Sequence, residues 1–521
     1  MLHNCDRGIY SGVGGVGTDT DQTRSSAAAA RPARRPWPVL GCGLVCAIFA
    51  LGTGATEADQ PATVEQVVAH VNAGRFAQAE SDVARSLAFD AVSPEQILGF
   101  EFERERMRRI ALDFNLGREE VEAQLRREIP DLRADEFAEW DRPELLESLD
   151  INGKRRYFAR AVPNLFRVSA VAAARRRPDA ARGDSGPMES IHPHHSEVLQ
   201  QARSTGSSSV AARRVRVTQS LIVNADAVPA GKMLHAWIPF PRAIPGQQED
   251  IRLIRTDPPL HQLAPASTLQ RTVTLEKPAK TGQVTEFSVT YELTVHGRHH
   301  AIDPESVVPA VASAELAPFL AERPPHIVFS DDLRAYSRRI VGEEKNPYRI
   351  AQKLFAAVDA IPWGSAREYS TISNISDYAL KQGHADCGQQ TLLLMTLLRL
   401  NGIPSRWQSG MVYSDTDYDN LHDWGWLYLA PFGWLPMDVT TGELASDDPA
   451  LQGFYLGSLD AYRIAFNDDF STALVPPKRH FRSETVDSQR GEVEWEGGNL
   501  YYDQWDYRFE AKVLPAPADR S

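Results

Sequence analysis

Cysteine is almost missing: the 521-residue chain holds four, and three of them, Cys5, Cys42 and Cys46, lie in its first tenth. An excess of basic charge is missing too. Lys and Arg total 56 against 69 Asp and Glu, a formal net charge of −13, which argues against a nucleic-acid partner. Long apolar runs are also lacking. The most apolar stretch runs from Val39 to about Leu51, short of the ~20 residues that a bilayer-spanning helix needs.

What surrounds that stretch gives it a meaning. Arg31, Arg34 and Arg35 precede it, and the small residues of "TGATEA" follow, which is the layout of a cleaved export signal. Cleavage is expected between Ala55 and Ala58, behind a possible extension over residues 1–30, so the protein is expected to be exported, periplasmic or secreted. Cys42 does not fit a lipoprotein site, because the apolar region follows it. Cutting after Ala58 removes five arginines and four acids, leaves a formal charge of −14, and leaves one cysteine, Cys387. A lone thiol forms no internal disulfide and serves either as buried filler or as a reactive group. No membrane contact beyond the signal is expected.

Metal chemistry has little to rest on. No acidic loop shows the spacing of a calcium-binding hand. His192, His194 and His195 of "HPHH" have no carboxylate or thiol at ligand spacing, so they read as flexible, solvated side chains. The same holds for His296, His299 and His300. No metal and no cofactor is expected.

The mature chain exceeds one ordinary core, and its pattern changes along its length. Residues 59–168 read as an α-helical domain. Ser93, Pro94 and Gln96 form a capping box with proline at the first helical position, and Gly74 marks the turn of a helical hairpin. The alternating charges of "EFERERMRRI" predict a solvated helix face. Residues 169–212 are rich in Ala, Gly, Ser and Pro and predict a flexible linker. In "TEFSVTYELTV", Phe287, Val289, Tyr291, Leu293 and Val295 alternate with polar residues. That period of two, with "VRVTQSLIV" and "MLHAWIPF", predicts a β-sandwich-like domain over 213–325. Residues 326–450 mix helices and strands, and 451–521 read as aromatic-rich strands or a tail. The fold class is therefore α+β.

The remaining cysteine stands before seven aliphatic residues, Leu392 to Leu400, which leave almost no polar face and predict a helix buried all round. Asn401, Gly402 and Pro404 stop it. Cys387 then falls in the first turn, where unpaired amides and the positive end of the helix dipole favour a thiolate. Gly383 and Gly388 let the backbone turn and let a substrate approach. Further on, His422, Trp424, Trp426 and Tyr428 share one face of a predicted strand, and a hairpin through "APFGW" brings Asp438 beside His422. A nucleophile, a base and an orienting carboxylate are thus available in Cys387, His422 and Asp438. Trp407, Trp424, Trp426 and Trp434 are expected in the core and cleft wall, and Arg406 in a structural ion pair.

The stretches "GHADCGQQTLLLMTLLRLNGIPSRWQSG" and "HDWGWLYLAPFGWLPMDVT" resemble the core of the transglutaminase-like superfamily, a papain-like cysteine fold. Two departures are visible: Ala385 stands where a glycine is usual, and the acid common after His-x-Trp is missing. The resemblance implies a papain-like core with Cys387 as nucleophile, His422 as general base and acid, and Asp438 orienting the imidazole. It implies acyl transfer or hydrolysis at peptide or isopeptide amides, on a protein or peptide substrate that could be a cell-wall peptide. The oxyanion would be met by the Cys387 N–H and one further donor, with Gln382, Trp363 and Tyr369 as candidates. A binding or assembly protein that keeps the fold without turnover is the alternative.

Overall fold

The computed structural model describes residues 60–89, 92–178, 189–416 and 418–515. The expected export signal lies outside these residues. Among them, no helix is long and apolar enough to cross a membrane. The architecture is mixed helix and sheet.

The first domain packs α1 (Val64–Asn72), α2 (Phe76–Ser86), α3 (Pro94–Asp113), α4 (Arg118–Glu128) and α5 (Ala134–Trp140) around a short hairpin, β1 (Ser148–Ile151) and β2 (Lys154–Tyr157), with α6 (Ala161–Val168) and α7 (Ala170–Ala174) behind. Ser93 caps α3 by accepting from Gln96 N–H, the predicted box with Pro94 inside the first turn. The charged face of α3 differs from expectation. Glu103, Arg106 and Arg109 are buried, because this face abuts the rest of the protein. Arg106 donates to Thr371 O at 3.3 Å, and Arg109 to Ser483 O at 3.1 Å. Alternating charge here pairs within the helix and leaves guanidinium N–H groups to bridge domains.

The predicted linker is partly regular structure. α8 (Pro193–Thr205) starts at the "HPHH" segment, and β3 (Ser209–Val223) begins before residue 212. His194 and His195 are buried instead of solvated. Polar side chains with hydrogen-bond partners can be buried, and composition does not reveal partners that lie some 260 residues away in sequence.

Two five-stranded antiparallel sheets form a sandwich. Six of its ten strands are β3, β4 (Met233–Pro239), β5 (Gln248–Asp257), β6 (His261–Leu263), β7 (Thr272–Pro278) and β8 (Thr285–His299), and the other four come later in the chain, one of them a short strand at Ser458–Leu459 that pairs with β8. The predicted alternation holds: Phe287, Val289, Tyr291, Leu293 and Val295 are all buried, facing the second sheet as strand geometry requires.

The chain then enters the core: α9 (Asp331–Val341), α10 (Pro347–Asp359), α11 (Ile375–Gln382), α12 (Cys387–Leu400), β9 (Ser405–Tyr413), β10 (Asp419–Leu429), β11 (Gly433–Met437), α13 (Pro449–Gln452), β12 (Ser458–Leu459) and β13 (Arg463–Asn467). Its sheet runs β11-β10-β9-β13, and α12 packs against β10 and β9. From Cys387 to Arg399 every residue of α12 is buried, as its leucines predict. The last strands, β14 (Glu492–Trp495), β15 (Gly498–Leu500) and β16 (Trp505–Leu514), return to the sandwich. β16 pairs with β3 over ten residues, and β14 pairs with β4. The sandwich is therefore closed by residues on both sides of the core in sequence, and the C-terminal segment is structural sheet.

Candidate active site

α11 ends at Gly383, whose φ of +74° is left-handed, and the chain turns at once into α12. Asp386 caps α12, accepting from Gln389 N–H while the Gln389 side chain accepts from Asp386 N–H. Cys387 is the first helical residue, among the amides that find no partner within a helix. Gly388 answers a steric demand: a Cβ there would lie 2.1 Å from Tyr369 Oη and 2.8 Å from Asp423 Oδ2. Two polar side chains converge where a larger residue would stand.

Cys387 Sγ donates to Asp423 Oδ2 at 3.2 Å. Asp423 Oδ1 accepts from Gln489 Nε2 at 2.9 Å, and the same Gln489 amide donates to His422 O at 2.8 Å. Beside Asp423 lies Asp487, which accepts from Ser409 Oγ at 2.6 Å. Burial, followed by the neighbouring Cys387, Asp487 and Asp386, pushes the Asp423 carboxyl far above its ordinary range. Burial also raises Asp386 to about 6, and burial with Asp487 and Glu368 nearby raises Glu484 to about 8. Asp423 and Glu484 thus hold their protons near neutrality, because burial and neighbouring acids outweigh the nearby arginines, whereas Asp386 does so only below about 6. A close ion pair, Arg490 with Glu368 at 2.7 Å, lies at the edge of this cluster.

His422 and Asp438 meet as predicted, Nε2 to Oδ2 at 2.7 Å. Asp438 also accepts from Thr440 N–H, from Thr441 N–H and Oγ1, and from Arg463 Nη1 at 2.5 Å. Burial opposes its ionisation, but His422 and Arg463 outweigh that and hold it well below the usual carboxylate range. Successive side chains of a strand leave opposite faces. On β10, Asp423 therefore shares a face with α12 and Cys387, while His422 shares the other with Trp424, Asp438 and Arg463. The structure brings His422 to Asp438 and brings Cys387 to Asp423.

A cavity of about 330 Å³ opens over Cys387. Trp363, Tyr369, Asp423, Gln489 and Arg490 line it, and Arg160 of the helical domain and Asn224 of the sandwich reach its wall. His422 is not among the described residues lining it. Of the expected oxyanion donors, Trp363 and Tyr369 line the cavity, whereas Gln382 donates to Pro143 O at 2.8 Å. Tyr369 commits its hydroxyl proton to Asp386 at 2.7 Å. Trp424 and Trp426 are core residues, both donating to Gln408 Oε1. Arg406 lies over the Trp426 and Trp434 rings. Among the described residues no group of three or more His, Cys, Asp or Glu side chains could hold a metal ion.

Asp423, Gln489 and Asp487 were not singled out by the sequence. Asp423 could have been, since the alternation that groups His422 with Trp424 sends its neighbour to the helix side. Gln489 and Asp487 carry no local signal.

Residues 334–439 match the model of the transglutaminase-like superfamily. Among solved structures, the chain is similar to a "putative cysteine protease" from Cytophaga hutchinsonii, at 14% identity over 60% of this chain and 93% of that one, with a TM-score of 0.40. It is also similar to the periplasmic domain of TgpA from Pseudomonas aeruginosa, at 16% identity over 50% of this chain and 94% of that one, with a TM-score of 0.24. No curated protein matches the chain.

Proposed function

We propose that this protein is an exported cysteine enzyme that catalyses acyl transfer or hydrolysis at peptide or isopeptide amides, with Cys387 as nucleophile and His422 and Asp438 as its acid–base pair. The observation that carries this is the setting of Cys387: the first residue of a buried helix, at a cavity walled by aromatic side chains, inside the segment that matches the superfamily. Attack of Sγ on an amide carbon forms a tetrahedral oxyanion, which the Cys387 N–H can meet at the helix start. The proton that Sγ gives up ends on the leaving amine as the C–N bond breaks, and the thioester then passes to water or to an amine. Asp438, ionised and fixed by five hydrogen bonds, suits the role of orienting His422. A protein or peptide substrate, including a cell-wall peptide, fits a cavity whose walls come from all three domains.

A second reading is favoured by one contact. Cys387 donates to Asp423, and a carboxyl beside a thiol disfavours thiolate once it ionises. A protein that binds a partner at this cavity without turnover would tolerate that arrangement. Iodoacetamide labelling of the mature protein across about pH 4 to 9 separates the two, against a free-thiol pKa of ~8.5. Fast labelling well below that pH, lost in His422→Ala, supports the enzyme. Slow labelling that tracks an ordinary thiol in both proteins supports the binding role and ends the catalytic reading.

A further inference from the structure

The His422–Asp438 pair stands at one end of a buried chain of hydrogen bonds that begins in the "HPHH" segment. His192 N–H donates to His195 Nδ1 at 3.0 Å. With Nδ1 accepting, the neutral ring carries its proton on Nε2. Burial lowers His195 to about 4 and keeps the ring neutral. Its Nε2–H then donates to Tyr455 Oη at 2.9 Å, and Tyr455 donates to Asp460 Oδ2 at 2.9 Å. The same oxygen accepts Arg463 Nε at 3.0 Å and Nη2 at 2.6 Å. Arg463 Nη1 crosses to Asp438 Oδ2, the oxygen that His422 Nε2 shares. Every hydrogen in the chain points toward one of the two aspartates.

Arg463 is thus suspended between two carboxylates, and its position sets how much of the Asp438 charge is left for His422. The far carboxylate, Asp460, is loaded by Tyr455 and by Tyr462 N–H at 2.7 Å. The turn that carries it is gripped a second time, since Ala461 N–H donates to His194 Nε2 at 3.0 Å. His195, Tyr455, Asp460, Arg463 and Asp438 are all buried, so water does not compete with these bonds.

We propose that Arg463 is the positioning residue for the His422–Asp438 pair, held in register by Asp460, Tyr455 and His195 of α8. The proposal rests on the reading of His422 as the acid–base group. Without the Tyr455 hydroxyl, Asp460 draws Arg463 more strongly, Asp438 loses part of its guanidinium partner, and its hydrogen bond to His422 tightens. Segment 192–195 then takes part in tuning the site although it lines no part of the cavity.

The test uses the mature full-length protein with Tyr455→Phe and Arg463→Lys, both read by NMR at the His422 Nε2 proton and by the rate of Cys387 labelling. Expected are a downfield shift of that proton in Tyr455→Phe and a labelling rate changed by about tenfold, the size of one pKa unit of thiol. Arg463→Lys, which keeps the charge but has fewer donors, should move the same signal while the fold is retained. An unchanged His422 signal in both folded variants overturns the proposal. His422→Ala serves as the separate control: if it labels as fast as wild type, the acid–base reading fails, and the NMR signal alone then decides whether Arg463 holds His422.

Discussion

The two faces of β10 handle aspartate in opposite ways. On the helix side, Asp423 sits with Asp487, Asp386 and the Cys387 thiol, and burial drives its carboxyl toward the protonated form. On the other side, Asp438 and Asp460 share Arg463, and both carboxyls lie well below their usual range in spite of equal burial. The difference is one guanidinium. A buried acid ionises where a cation and several donors replace the water it lost, and keeps its proton where they do not.

The largest test of this contrast is Arg463→Met. It takes the guanidinium from both Asp460 and Asp438 and leaves Asp438 with His422, and the loss should be about 3–5 kcal/mol, the usual cost of breaking a buried pair from one side. Urea denaturation measures it, and a loss near zero would mean that the donors alone hold both acids. Asp423→Asn sharpens the other face. At pH 8.5 an ionising carboxyl beside Sγ opposes the thiolate, and its removal should raise the labelling rate by about tenfold, one pKa unit of thiol. An unchanged rate would mean that Asp423 stays neutral throughout. The smallest effect belongs to Glu484, raised to about 8 in the fold from its ordinary value of 4.5. Between those two pH values the folded state binds a proton that the unfolded chain does not, so Glu484 costs stability progressively as pH rises through that window. Glu484→Gln should therefore lessen the fall in Tm between pH 5 and pH 8, by a few degrees in a chain of this size. A fall as steep as in wild type would place the pH dependence elsewhere.

Much of this was legible in the chain. The leucines of α12 predicted a fully buried helix, and counting back from them placed Cys387 in its first turn. The period-two run at Phe287 to Val295 predicted the sandwich face. His422 and Asp438 were paired from the length of one hairpin. Each of these depends on neighbours within about twenty residues. The cases that differed depend on distant ones. Arg109 of α3 is buried by the carbonyls of Arg482 and Ser483, and His195 by Tyr455. In both, a polar residue that reads as solvated found its partner hundreds of positions away.

The return of β14, β15 and β16 to the sandwich has the same origin. Local pattern shows strands, but only pairing shows which sheet they complete. The amino-acid sequence by itself determined the elements, the burial of α12, the solitary thiol and the adjacency of His422 to Asp438, because periodicity, capping and hairpin length act locally. The tertiary structure decided that Asp423 faces Cys387, that Arg463 neutralises two aspartates at once, and that three domains wall one cavity. Charge states and cavities are set by what surrounds a group in space, and most of what surrounds these groups is remote in the chain.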